Sequence, residues 1–253
     1  MKIRRPRLKP ASKASSAAHV LLNVALVLLI LACIIEPIAL PPLAVVLLLL
    51  SKWRMFAVKP RHWLTNIKAN LVDIGVGLSV IIFMSGTSHF TTQLIWAVLF
   101  GIWLLFIKPR SSTGMVMIQA MTAQALTLIA LFGTYSSSPI LMLVVITWLI
   151  CYSAARHFFS VFEGTDGRLL AHIWGLFGAE LAWVLSHWLL SYGILPQIAL
   201  LITVVGYSMA VSYYIHIARG GLKDTLRNQF VIVTIVIIVV VALFSQWQYT
   251  GLN

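Results

Sequence analysis

Glu180, His172, His187, Gln124, Thr147, Tyr207 and Ser208 all fall inside long apolar runs, which makes them the side chains to test first for chemistry. An acid placed at the middle of a membrane costs about 2.5–3.5 kcal/mol on insertion scales, so something has to offset it. At 100° per residue, His172, Glu180 and His187 fall within about 80° of one another, on a stripe with Ala179 and Trp183. The opposite side of that helix carries Trp174, Phe177, Leu181, Val184, Leu185 and Trp188. Gln124 shares a small, polar face with Gln119, Ala120, Ala123 and Thr127, while Thr147, Tyr207 and Ser208 are central in their own runs.

If these helices face Glu180, the result is a polar layer inside an apolar bundle. Two kinds of chemistry fit it. A neutral Glu180 donates a hydrogen bond to Gln124 or Tyr207 and fixes helix packing, because burial favours the uncharged acid. Alternatively, Glu180 exchanges a proton or binds a cationic group during transport.

Other chemistry is harder to support. The chain has no Gly-rich phosphate loop, no His-Glu-x-x-His zinc pair and no Gly-x-Ser-x-Gly nucleophile elbow. His157, His172 and His216 fall near one boundary, but without metal-ligand spacing they read as polar anchors. No catalytic residue, metal or cofactor is expected. Asp73 and Asn70 share a face with Gly77, and Asp73 beside Lys68 in a first helical turn suits the helix dipole. The mixed-charge loop 156–168, with Glu163 and Asp166, reads as a solvated segment that a soluble partner could use.

The elements that would position these groups are membrane-crossing helices. Of 253 residues, 60% are hydrophobic and 9% charged, with a mean hydropathy of +0.98. A soluble domain carries about 25% charged residues, so this chain cannot coat a water-exposed surface. Runs near the roughly 20 residues needed for a crossing occur at 18–35, 38–54, 70–87, 92–107, 114–133, 139–156, 169–190, 196–218 and 230–248. The expected fold is therefore an all-α polytopic bundle of nine spans, a single embedded domain over 18–248. A basic tail, 1–17, precedes it and a short tail, 249–253, follows. The second span is the least regular, its uninterrupted apolar part being only Ile38 to Leu50 behind Pro41-Pro42.

Charge placement supplies orientation. All 18 Lys and Arg residues fall in alternate connecting segments, and the segments between hold none. Basic residues stay in the cytoplasm, which puts the amino terminus inside and the carboxyl terminus outside a cell membrane, on these features a bacterial cytoplasmic membrane. The net charge of +12 then reflects lipid and not nucleic acid. Lys52, Arg54, Lys59, Arg61, Lys108 and Arg110 are expected to contact anionic lipid head groups, with Trp53, Phe56 and Trp63 pressed into the interface. The basic start and Ile30-Leu31-Ala32-Cys33 loosely suggest a cleaved leader, but the apolar residues after Cys33 favour retention as an anchor. Cys33 and Cys151 fall near opposite faces, so no disulfide within the chain is expected.

Two further patterns stand out. Lys59-Pro60-Arg61 and Lys108-Pro109-Arg110 echo each other, with Asn70 and Gln119 each ten residues past the proline. The last run is Ile and Val alone from Ile235 to Val241, a surface for lipid or a partner subunit. Three activities follow as expectations, in order of preference: a small transporter or permease built on the Glu180 layer, a non-catalytic membrane scaffold or complex subunit, and a lipid-modifying enzyme.

Overall fold

The computed structural model describes residues 13–35, 40–53, 57, 59–162, 166–186, 191–192, 195–219 and 224–244. These are nearly all helical. The helices are α1 (Lys13–Ile34), α2 (Pro41–Leu50), α3 (Trp63–Ser85), α4 (Phe90–Ile102), α5 (Thr113–Thr134), α6 (Ile140–Phe159), α7 (Gly167–Leu185), α8 (Gln197–Arg219) and α9 (Asp224–Phe244). A π-helical turn, Trp103–Ile107, continues α4, and a 3-10 turn, Pro60–His62, leads into α3. Strands β1 (Ser191–Tyr192) and β2 (Leu195–Pro196) pair antiparallel between α7 and α8.

Six helical stretches among the described residues are long and apolar enough to cross a membrane: Ala17–Ile34, Phe90–Ile107, Thr113–Thr134, Ile140–Phe159, Gly167–Leu185 and Gln197–Ile217. The apolar parts of the other three, Pro41–Leu50, Asn70–Ser85 and Val231–Leu243, are shorter. An all-α membrane protein fits this inventory.

The shortest element is α2, and its limits are physical. Pro41 and Pro42 start it, where a missing N–H leaves no internal bond unmade. At its other end the Ser51 amide donates to the Leu47 carbonyl and the Ser51 hydroxyl to the Leu48 carbonyl, closing the last turn. Ten residues rise about 15 Å, half of a hydrocarbon core of about 30 Å.

The chain forms two compact units, with the boundary inside α5 after Gln119. In the first, α1 packs on α2, α3 and α4, and α2 and α4 both pack on α3. Its core includes Ile30, Ala44, Leu48, Val76, Met84 and Phe100. At Gly77 the α2–α3 approach is so close that a Cβ would lie 2.6 Å from Leu48 Cδ1.

In the second unit α7 lies along α6, and α8 packs on both α7 and α9. The face that α7 turns inward is made of Ala171, Gly175, Gly178, Ala179 and Ala182. Small residues let helix backbones approach and gain dispersion contacts where no hydrophobic force is available. A Cβ at Gly175 would meet Trp148 Cδ1 at 2.9 Å, and one at Gly178 would meet Cys151 Sγ at 2.6 Å. Leu128, Leu143, Cys151, Ala182, Ile198 and Ile202 are buried together around this contact.

Candidate functional site

The small-residue face of α7 determines where its polar groups point. With Gly175, Gly178 and Ala182 turned toward α6, Glu180 is left on the exposed side. Its neighbours there are Ile173, Leu176, Trp183 and Val184, each at least half exposed. Glu180 also lies only five residues before Leu185, where α7 ends, about 7–8 Å along the axis. It is therefore in the last turns of the helix and not at its middle.

The expected polar layer is only partly assembled. Gln124 is buried in the second unit, but its partners are Trp174 and the α8 backbone. Trp174 Nε1 donates to Gln124 Oε1 at 2.8 Å, and Gln124 Nε2 donates to the Ile202 carbonyl at 3.5 Å. Gly206 makes room for this pair, since a Cβ there would lie 2.7 Å from the Trp174 ring. Thr147 is fully buried between α6 and α7, and its Oγ1 has no hydrogen-bond partner among the described residues. Tyr207 is exposed on α8. Ser208 accepts from Thr234 Oγ1 at 2.6 Å, joining α8 to α9. His172 packs against Tyr152 with the rings tilted by 36° and their centroids 4.6 Å apart. His187 lies outside the described residues. Among the described residues, no group of three or more His, Cys, Asp or Glu gathers as metal ligands would.

A feature not expected from the sequence is an apolar cleft in the second unit, about 390 Å³ in volume, lined by α6, α7 and α8 and by Met121 of α5. Its aromatic walls are Phe158, Phe159, Trp174, Phe177 and Tyr213. Phe159 meets Tyr213 edge-on at 5.2 Å, and Trp174 stacks with Phe177 at 5.3 Å. The signal was present in the sequence as aromatic pairs near the ends of α6 and α8, on helices whose relative rotation only packing reveals.

The first unit contains a charged cluster. Lys52 follows α2, Lys108 follows the π turn, and Asp73 is ten residues into α3. Lys52 Nζ lies 3.4 Å and Lys108 Nζ 2.5 Å from the same oxygen, Asp73 Oδ2. Lys52 is buried, at 8% exposure, and Lys108 keeps 33%. Of the six basic residues expected at lipid head groups, these two converge on a carboxylate, while Lys59, Arg61 and Arg110 are exposed. Arg54 lies outside the described residues. The Lys-Pro-Arg echo also diverges in use. Gln119 Nε2 donates to the Ile107 and Arg110 carbonyls at 2.7 and 2.8 Å, capping the π turn, whereas Asn70 bonds to Asn66 within its own helix.

Comparison with protein-family models, with curated proteins and with solved structures finds no match to this chain.

Proposed function

We propose that the protein is a small multi-pass membrane transporter or permease whose cargo is apolar or amphipathic, taken laterally into the α6–α8 cleft. The observation that carries this reading is the cleft itself. Aromatic and aliphatic walls, with the Trp174 N–H already committed to Gln124, suit a hydrocarbon chain and offer little to a hydrated ion. Nine crossings with the amino terminus in the cytoplasm belong to the same proposal, supported by the one-sided placement of every Lys and Arg. So does a seat in a bacterial cytoplasmic membrane with anionic lipids around its basic face.

A photoreactive fatty acid tests the cleft. In proteoliposomes it should crosslink to Phe158, Phe159 or Tyr213, and the Ala210→Trp variant, which fills the cleft, should lose that product. Transfer of a fluorescent phospholipid between leaflets should fall in parallel. Crosslinks elsewhere, or a product unaffected by Ala210→Trp, would remove the basis for the proposal.

A second reading, a subunit of a membrane complex, is favoured by Glu180. An acid surrounded by exposed Ile173, Leu176, Trp183 and Val184 is a group that a polar partner on another helix would satisfy. If that reading is right, Glu180→Leu should release a partner that co-purifies with the unaltered chain in mild detergent.

A further inference from the structure

We propose that Lys52 and Lys108 form a binding site for one phosphate-type monoanion beside Asp73, supplied either by a phospholipid head group or by free phosphate. The argument is independent of the cleft. Two ammonium groups meet one carboxylate, which leaves one positive charge in excess at a place where Lys52 is buried and Asp73 is 14% exposed. The excess falls on Lys108, which keeps 33% exposure, and a partly desolvated charge gains from a counter-ion. Among the described residues of this unit Asp73 is the only acid.

Helix-end carbonyls could share the charge, but several at these two ends already accept a hydrogen bond. At the end of α2 the Leu47, Leu48 and Leu49 carbonyls accept from the Ser51 amide, the Ser51 hydroxyl and the Lys52 amide. At the end of the π turn the Ile107 and Arg110 carbonyls accept from Gln119 Nε2. Each ammonium carries three N–H donors, and among the described residues each meets one acceptor, Asp73 Oδ2. Both reach the same oxygen, so the nitrogens are close enough for a single anion with several acceptor oxygens to touch both. A phosphodiester or dihydrogen phosphate meets that requirement and neutralises the trio with strong, charge-assisted acceptors; a halide can also accept from both donors but offers a single centre, which makes chloride the competitor to test. Lys108, the more exposed lysine, provides the entry side. The π turn is what delivers it, because an extra residue in the turn changes the direction of everything after Trp103.

The test uses the full chain purified in dodecyl maltoside, which carries no phosphorus. Inorganic phosphate is titrated calorimetrically, with chloride as competitor. Native mass spectrometry then compares retention of phosphatidylglycerol with that of a digalactosyl lipid lacking phosphate. The proposal expects saturable binding of one phosphate, or selective retention of one phosphatidylglycerol. Phosphate alone identifies a soluble ligand, phosphatidylglycerol alone a lipid, and binding of both a site open to either. Lys108→Gln should weaken binding by about tenfold or more, as loss of a charge-assisted contact implies, while Lys108→Arg retains it. No saturable binding of either probe to the unaltered protein would overturn the proposal, as would equal binding by Lys108→Gln. Displacement of phosphate by an equal concentration of chloride would also overturn it, and needs no variant to fold.

Discussion

Trp174→Phe keeps an aromatic wall on the cleft but removes the N–H that Gln124 Oε1 accepts at 2.8 Å. Gln124 is 1% exposed, so water cannot replace the donor, and a buried acceptor left alone costs about 1–3 kcal/mol. Chemical denaturation in detergent should show that loss, and a variant as stable as the parent would mean the pair is dispensable. Gly178→Ala tests a different contact. Its new Cβ would come within 2.6 Å of Cys151 Sγ, and overpacking of this kind costs about 1–3 kcal/mol. Cys151→Ala in the same chain removes the obstructing sulfur, so the double variant should recover most of the loss. Additive destabilisation would show that the sulfur is not the cause. At this scale the sequence was legible in part. Helical spacing put His172, Glu180 and His187 on one stripe, but angular position within a helix does not say which side faces protein. The small residues Ala171, Gly175, Gly178 and Ala182 carried that information, since packing in lipid selects small side chains for the contact. Gln124 was recognisable as a group needing a partner; that the partner is an indole on α7 depends on Gly206, far along the chain, leaving room for it.

Among the elements, long apolar helices were readable because hydrophobic length is a local property. Both α1 and the stretch from α5 through α8 fall close to runs evident in the sequence. The short α2 was foreshadowed by its interrupted run, and its end is set by the Ser51 turn. The π turn at Trp103–Ile107 has no local signature, because what sustains it is the Gln119 amide, which comes from the next helix. The Lys52–Asp73–Lys108 cluster was hidden for the same reason: its members come from three separate elements and meet only when these pack. Gln119→Leu is the corresponding test. It strips donors from the Ile107 and Arg110 carbonyls in one step, at about 1–3 kcal/mol for each carbonyl that water cannot reach. Hydrogen exchange over residues 103–110 should accelerate while the α6–α7 region stays protected, since that pair belongs to the other compact unit. Unchanged exchange would show that the π turn holds itself.

For the whole molecule, with the amino terminus inside and the other helices crossing as proposed, the parity of crossings turns on α2. Its ten residues span half a hydrocarbon core, so the chain after Trp53 either completes the crossing through the segment leading to α3 or turns back. The two routes invert everything that follows. If the crossing is completed, position 88 lies outside, 110 inside and 137 outside, and all 18 Lys and Arg share one face, as lipid-facing charge favours. If the chain turns back, positions 88 and 137 move inside, 110 moves outside, and the basic residues divide between the two faces. Single cysteines at Ser88, Arg110 and Ser137, introduced into a chain with Cys33→Ala and Cys151→Ala, distinguish these outcomes in intact cells. A thiol reagent that cannot cross the membrane should label positions 88 and 137 and spare 110 until the cells are opened. The inverse pattern would make α2 a re-entrant helix. The anion site would then open to the exterior, and cytoplasmic phosphate could not be its source.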